Sequence, residues 1–220
     1  MKNEEMKKIE GFFAINKEKG PTSHDIVDRV RRATGVKKVG HAGTLDPMAK
    51  GVLVVAVGRK FTKRISEHRK AEKVYLATFE LGKISDSWDA EGEVKAIEVK
   101  KEPLKKDIES ALKKFEGEID QRPPVYSAIK VNGVPSYKLA RKGKKPKLKK
   151  RKVLIKKIEF LDYQFPFIKL RITTGSGVYI RSIARDLGAE LNTGAILTDL
   201  VRERVGEFSL KDSISPEDLK

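Results

Sequence analysis

The chain has no cysteine, so disulfides and thiolate metal sites are excluded. Histidine is scarce, with three in 220 residues and no pair at metal-ligand spacing such as HExxH. No run approaches the ~18 consecutive apolar residues of a membrane span. The opening "MKNEEMKKIE" lacks the apolar stretch of a signal peptide. These absences lead to the expectation of a cytoplasmic protein that does not meet the membrane. No glycine-rich phosphate loop follows a strand, which argues against a nucleotide cofactor. No Gly-x-Ser-x-Gly elbow is present either. Asparagine and glutamine together number six, in line with the depletion of thermolabile residues in heat-adapted proteins.

Positive charge is abundant. Forty-eight Lys and Arg face 31 Asp and Glu, a formal net charge of +17 that attracts polyanions. The charge is concentrated. From Lys138 to Lys157, "KLARKGKKPKLKKRKVLIKK" holds twelve basic residues and no acid. Tyr137, Leu139 and Leu148 interleave the run. A block of one sign repels itself and usually meets an opposite charge, here phosphates whose counterions it would release. The plainer alternative is a solubilising loop.

Length and composition allow one large domain or two small ones, without internal repeats. Phe12–Asn16 reads as a strand. Thr22 and Asp25 form a capping-box start, and Ile26, Val27, Val30 and Ala33 continue at helical spacing until Gly35. "VLVVAV" is a buried strand between Gly51 and Gly58. Lys73–Leu81 alternates, with Tyr75, Ala77, Phe79 and Leu81 on one face. "PLKKDIESALKKFEG" predicts a helix entered at Pro103, striped by Leu104, Ile108, Leu112 and Phe115, and stopped by Gly117. "FIKLRITT" is a further strand. After a Gly-Ser-Gly turn, "VYIRSIARDLGAEL" predicts a helix with Tyr179 and Arg181 in its first turn. The elements lack βαβ rhythm. The expected fold is α+β, with a mixed, largely antiparallel central sheet and flanking helices and loops. The expected organisation is a charged extension over residues 1–10, one domain over 11–220, and a basic insertion at about 121–152.

The chemistry-bearing candidates are few. Asp46 stands before Pro47, which biases its backbone to an extended form, at the mouth of an apolar strand. It is either a turn aspartate or a carboxylate held by a rigid loop, able to act toward an electrophilic carbon. Asp86 and Asp89 in "SDSWDAEG" read as turn residues rather than a glycosidase acid pair.

"GHAGTLDPMAKGVLVVAVG" closely resembles the signature of the TruB family of tRNA pseudouridine synthases. "INKEKGPTSHDIV", "KVYLATFELGKISDSWDAEGEV", "QRPPVYSAIKVNG", "GSGVYIRSIARDLG" and "LTDLVRERVGEF" resemble further family segments, in family order, from Gly11 to Phe208. The resemblance implies conversion of uridine 55 in the tRNA T loop to pseudouridine, without metal or organic cofactor. It implies Asp46 as the catalytic aspartate, Tyr75 as the aromatic stacking on the flipped base, and Tyr179 as a second active-site aromatic. Arg181 is implied as the partner of Asp46, keeping it ionised because an opposite charge lowers a carboxyl pKa. His41, Gly43, Thr44 and Leu200 are implied at the substrate. Lys17, Lys130, Lys144, Lys145, Lys149 and Lys150 are expected on RNA. That the domain over 11–220 is catalytic and the insertion at about 121–152 RNA-binding is likewise what the resemblance implies.

The expected partner is the tRNA T stem-loop, met by a monomer needing no obligate protein partner. Two other readings remain: a guide-RNA-dependent ribosomal RNA synthase, and a non-catalytic tRNA-binding or folding protein. Glu18 stands where the family commonly has proline, and Val178 replaces a frequent threonine. Bacterial relatives usually continue into a small C-terminal RNA-binding domain. Since the catalytic segment is followed closely by Lys220, that domain is expected to be absent, with the basic run compensating.

Overall fold

A computed structural model describes residues 9–144 and 146–219, so Lys145 and most of the expected N-terminal extension lie outside the described residues. The chain divides into two units, Met1–Tyr75 with Val201–Lys220, and Leu76–Leu200.

The first unit opens with β1 (Gly11–Lys17) and α1 (Ser23–Thr34). The α1 entry is the expected capping box. The Thr22 hydroxyl accepts from the Asp25 N–H at 3.1 Å, and the Asp25 carboxylate accepts from the Thr22 N–H at 2.8 Å. Gly35 closes the helix at φ 66°. β2 (Val39–His41) and β3 (Lys50–Val57) follow, then the short α2 (Arg59–Thr62) and α3 (Ile65–Arg69). β3 is buried from Gly51 to Val57, which is why its sequence is a continuous apolar run rather than an alternation. β1 occupies one edge of β3 along its length, pairing antiparallel from Gly11↔Val57 to Lys17↔Gly51. The other edge is shared. β2 takes its far end antiparallel, with His41↔Val55. Residues 201–202 take its near end in parallel, with Arg202↔Gly51. At that crossing a Cβ on Gly51 would lie 2.4 Å from the Arg202 carbonyl oxygen, so glycine is required.

β4 (Lys73–Leu81) begins in the first unit and continues into the second. The second unit adds β5 (Lys83–Ser85), β6 (Val94–Ala96), α4 (Lys105–Lys113) and β7 (Gly117–Gln121). It continues with β8 (Lys130–Val131), β9 (Val134–Pro135), α5 (Ser136–Ala140), β10 (Arg151–Gln164) and β11 (Phe167–Thr174). α6 (Ile180–Glu190) and β12 (Ala195–Val205) complete it, and β12 leads back to β13 (Phe208–Ser209) of the first unit. Strand order in this unit is β12-β4-β11-β10-β7. The β10–β11 and β10–β7 pairs are antiparallel, whereas β12 meets β3 in parallel. The fold is therefore the mixed, mainly antiparallel α+β arrangement expected. α4 and α6 touch each other, and α4 touches β10, burying Ile108, Leu112, Ile183 and Leu187.

Several local expectations need correction. α4 ends at Lys113, and Gly117, expected as its stop, begins β7 at φ 91°. The last turn tightens through Lys114 and Phe115 N–H groups donating to carbonyls three residues back. Leu104 is the N-cap and 51% exposed, outside the apolar stripe. Tyr179 caps α6 instead of lying in its first turn, because its backbone is extended at φ −106°, ψ 115°. The basic run is not one loop. Arg151–Lys157 is strand, with Val153 and Ile155 buried between the charges. Residues 122–150 leave β7 after Gln121 and rejoin β10 at its partner Arg151. They carry the β8–β9 hairpin, whose turn residues Asn132 and Gly133 both have positive φ.

Candidate active site

In the first unit the loop between β2 and β3 is tied down residue by residue. Ser23, at the start of α1, uses its hydroxyl twice on Leu45: it donates to the carbonyl at 2.9 Å and accepts from the N–H at 2.8 Å. The Arg202 guanidinium, 1% exposed, donates to the carbonyls of Val52 (2.7 Å), Gly43 (3.2 Å) and Thr44 (3.3 Å). The Lys17 ammonium donates to the carbonyls of Ala49 (2.7 Å), Glu18 (2.9 Å) and Pro47 (3.2 Å). Asp46 sits among these clamps, half-buried, its own carbonyl accepting from the Ala49 N–H at 3.0 Å. A chain so anchored holds one side chain in place with little freedom left to lose.

Lys17 therefore corrects an expectation. It is fully buried and acts on the loop, not on RNA. Glu18, where the family commonly has proline, pairs with Arg29 of α1 at 2.6 Å. Gly43 holds φ 109°, a backbone form that side chains rarely adopt, and Thr44 is exposed. His41 is half-buried, and burial lowers its pKa, with the charge of Arg202 acting in the same direction. Tyr75 is 7% exposed, on the buried face of β4.

Lys73 carries no sequence signal that sets it apart from the other lysines, yet it is 6% exposed, and its ammonium donates to the carbonyls of Ala71 (2.7 Å) and Arg69 (3.0 Å). Burial, reinforced by Arg202, lowers its pKa from 10.5 to about 8. Between those values the unfolded chain holds a proton that the folded chain has released. Stability therefore rises with pH across the window and is lost as pH falls from 10.5 toward 8. Across that window the gain is about 3 kcal/mol. Urea unfolding at pH 8 and pH 10 should show this rise for the wild type and a smaller one for Lys73→Met. Equal slopes would remove Lys73 as its source.

In the second unit Tyr179 and Arg181 are fixed just as closely. Gln121, 1% exposed, reads both main-chain groups of Tyr179: its Oε1 accepts from the N–H at 2.8 Å, and its Nε2 donates to the carbonyl at 3.1 Å. The Arg151 guanidinium lies 5.0 Å from the centre of the Tyr179 ring. Arg181 is 4% exposed and donates to the carbonyls of Tyr126 (3.0 Å) and Ser87 (3.1 Å). It also pairs with Asp89 at 3.2 Å. Asp89 is in turn oriented by the Ser87 hydroxyl (2.6 Å) and the Glu91 N–H (3.0 Å). The turn role expected for Asp89 is thus only half of its work. Leu200 is buried on β12. Lys130, Lys144, Lys149 and Lys150 are exposed.

Among the described residues no group of three or more His, Asp or Glu is placed to hold a metal. No helix among them is long and apolar enough to cross a membrane.

Residues 31–180 match the model of the TruB family pseudouridylate synthase, N-terminal domain. The tRNA pseudouridine synthase B of Phocaeicola vulgatus is 46% identical over 202 residues, covering 89% of this chain and 86% of that protein. That of Clostridium kluyveri is 43% identical over 212 residues, covering 95% and 72%. Among solved structures, an H/ACA RNP bound to a substrate RNA containing 2'-deoxyuridine is similar with TM-score 0.70 and 28% identity. A Cbf5-Nop10-Gar1 complex is similar with TM-score 0.70 and 30% identity. The match covers 94% and 90% of this chain but 51% and 50% of theirs, about half the length of those chains.

Proposed function

This chain belongs to the TruB family of pseudouridylate synthases, and we propose that it converts uridine 55 in the T loop of tRNA to pseudouridine, unaided, in the cytoplasm. The observation that carries the reading is the anchoring of the 43–49 loop: Lys17, Ser23 and Arg202 hold its main chain on both sides of Asp46. A carboxylate so held can meet a reacting sugar carbon without first being ordered.

The reaction is an isomerisation. The bond between ribose C1′ and uracil N1 breaks, the base turns, C5 bonds to C1′, the C5 proton leaves and N1 gains one. Asp46 promotes the bond breakage. The uridine lies within a folded loop and has to be extruded first, at a cost of a few kcal/mol. Stacking on Tyr75 offsets part of that cost, and its hydroxyl serves as acceptor of the C5 proton. Tyr179 lines the substrate's path, and Arg181 supplies fixed positive charge. His41, Gly43, Thr44 and Leu200 complete the contacts. The whole of residues 11–220 serves as the catalytic domain, with 121–152 as the RNA-holding insertion.

Exposed lysines of that insertion should hold phosphates. Changing Lys144, Lys149 and Lys150 together to glutamine should raise KM and flatten its dependence on salt. The log–log slope should fall by about 2, given about 0.7–0.9 for each phosphate no longer neutralised. A KM and slope equal to wild type would place the phosphate-binding groups elsewhere.

The relatives named tRNA pseudouridine synthase B share more identity over more of their length than the chains of the H/ACA RNP and Cbf5 complexes do. That favours the stand-alone tRNA enzyme over a guide-dependent one. Mapping pseudouridine in an unmodified tRNA transcript treated with this protein alone tests the choice. Modification confined to the T-loop uridine, and lost when it is changed to cytidine, is expected. Modification that needs a guide RNA and partner proteins would overturn it.

A further inference from the structure

Trp88 is the sole tryptophan of the chain, and it sits where the backbone disfavours a bulky residue, at φ 64°. Glycine or asparagine fills such a position at less cost. The main chain on either side is fixed regardless. The Trp88 N–H donates to the Ser85 carbonyl at 3.3 Å, and the Leu197 N–H donates to the Trp88 carbonyl at 3.1 Å. The Ala90 N–H donates to the Leu197 carbonyl at 3.0 Å. Strain maintained in this way, under a side chain that does not suit it, is a feature of functional sites.

The side chain has a specific environment. The Arg185 guanidinium lies over the indole at 3.9 Å from the ring centre, and Asp186 holds that guanidinium at 2.5 Å. One indole face is thus occupied by a fixed cation. The ring is only partly buried, and its position in sequence is between two residues that anchor Arg181: Ser87 through its carbonyl and Asp89 through its carboxylate. A flat, preorganised aromatic surface next to the anchoring residues of the buried Arg181 suits an unpaired nucleobase. Stacking of this kind tolerates any base and costs little side-chain entropy.

We propose that Trp88, backed by Arg185, is a stacking platform for an unpaired RNA base flanking the target uridine. This rests on the reading of the protein as an RNA pseudouridine synthase. It gives Trp88 a role in holding substrate, distinct from the chemistry assigned to Asp46.

Because Trp88 is the only tryptophan, its emission reports on this one site. Wild-type protein is titrated with an unmodified T stem-loop RNA, and pseudouridine formation and RNA binding by anisotropy are followed in the same samples. Emission should be quenched in step with binding. Trp88→Ala should raise KM by about tenfold to a hundredfold, as expected for loss of one base–aromatic stack, with the effect on KM rather than kcat. Trp88→Phe should restore most of the KM. Trp88→Gly, which suits the backbone angle, should raise KM without lowering Tm. Turnover with unmoved emission, or a Trp88→Gly protein that loses Tm but keeps its KM, would overturn the platform and leave the enzymatic reading standing. Absence of both binding and turnover in the wild type would overturn both.

Discussion

Asp46→Asn is expected to lower the rate of uridine isomerisation by about 10⁴-fold or more, the scale of loss when an essential catalytic group is removed, while tRNA still binds. The substitution keeps the shape of the side chain and removes its charge. The loop's position rests on main-chain contacts. Lys17, Ser23 and Arg202 address carbonyls and an N–H of residues 43–49, whatever residue 46 carries. Single-turnover rates and filter-binding affinities separate the two effects. A variant that binds tRNA normally and still isomerises uridine within tenfold of wild type would remove Asp46 from the chemistry.

Arg202→Met destabilises the protein by about 3 kcal/mol or more and depresses kcat in the protein that remains folded. The guanidinium is 1% exposed and serves three carbonyls, those of Val52, Gly43 and Thr44. A methionine of similar length fills the volume but takes the guanidinium donor from all three, at about 1–3 kcal/mol for the buried Val52 carbonyl and less for the part-buried Gly43 and Thr44 carbonyls, and it also loses the packing of the buried arginine. The catalytic loss follows because two of the three carbonyls belong to the loop that carries Asp46. Arg202→Lys should recover only part of both losses, since a single ammonium cannot span acceptors that a planar fork reaches together. Urea unfolding gives the stability, and the split between kcat and KM gives the positioning effect. Wild-type stability together with wild-type kcat would show that the loop is held without the arginine.

Much of this arrangement is legible from local signals. The Thr22–Asp25 capping box, the glycine closing α1 and the alternation of β4 each depend on neighbours in sequence, and each is where local chemistry puts it. The Asn132–Gly133 turn also carries a local hairpin signal, although the two-residue strands on either side are too short to stand out by alternation. Other features depend on distant partners. Arg202 lies within "LVRERV", where charged residues read as solvent-facing, and only the parallel crossing with Gly51 turns it inward onto the Asp46 loop. Gln121 looks like the last residue before a proline-rich loop, yet it fixes Tyr179 across 58 positions of sequence. Lys17 reads as one more surface lysine until β1 and β3 close around it. Asp89 reads as a turn residue because half of its contacts are local, while its bond to Arg181 is not. The family resemblance implies which residues carry chemistry. The residues that hold them still come from elsewhere in the chain.

The most direct test of the central claim is tritium release from unmodified tRNA labelled at uridine C5, with the purified protein and no added partner, guide or cofactor. Isomerisation at one uridine expels one C5 proton per tRNA. The expected result is release that reaches one equivalent, disappears with Asp46→Asn and disappears when the T-loop uridine is replaced. Tight tRNA binding with no tritium released by the wild-type protein would contradict it.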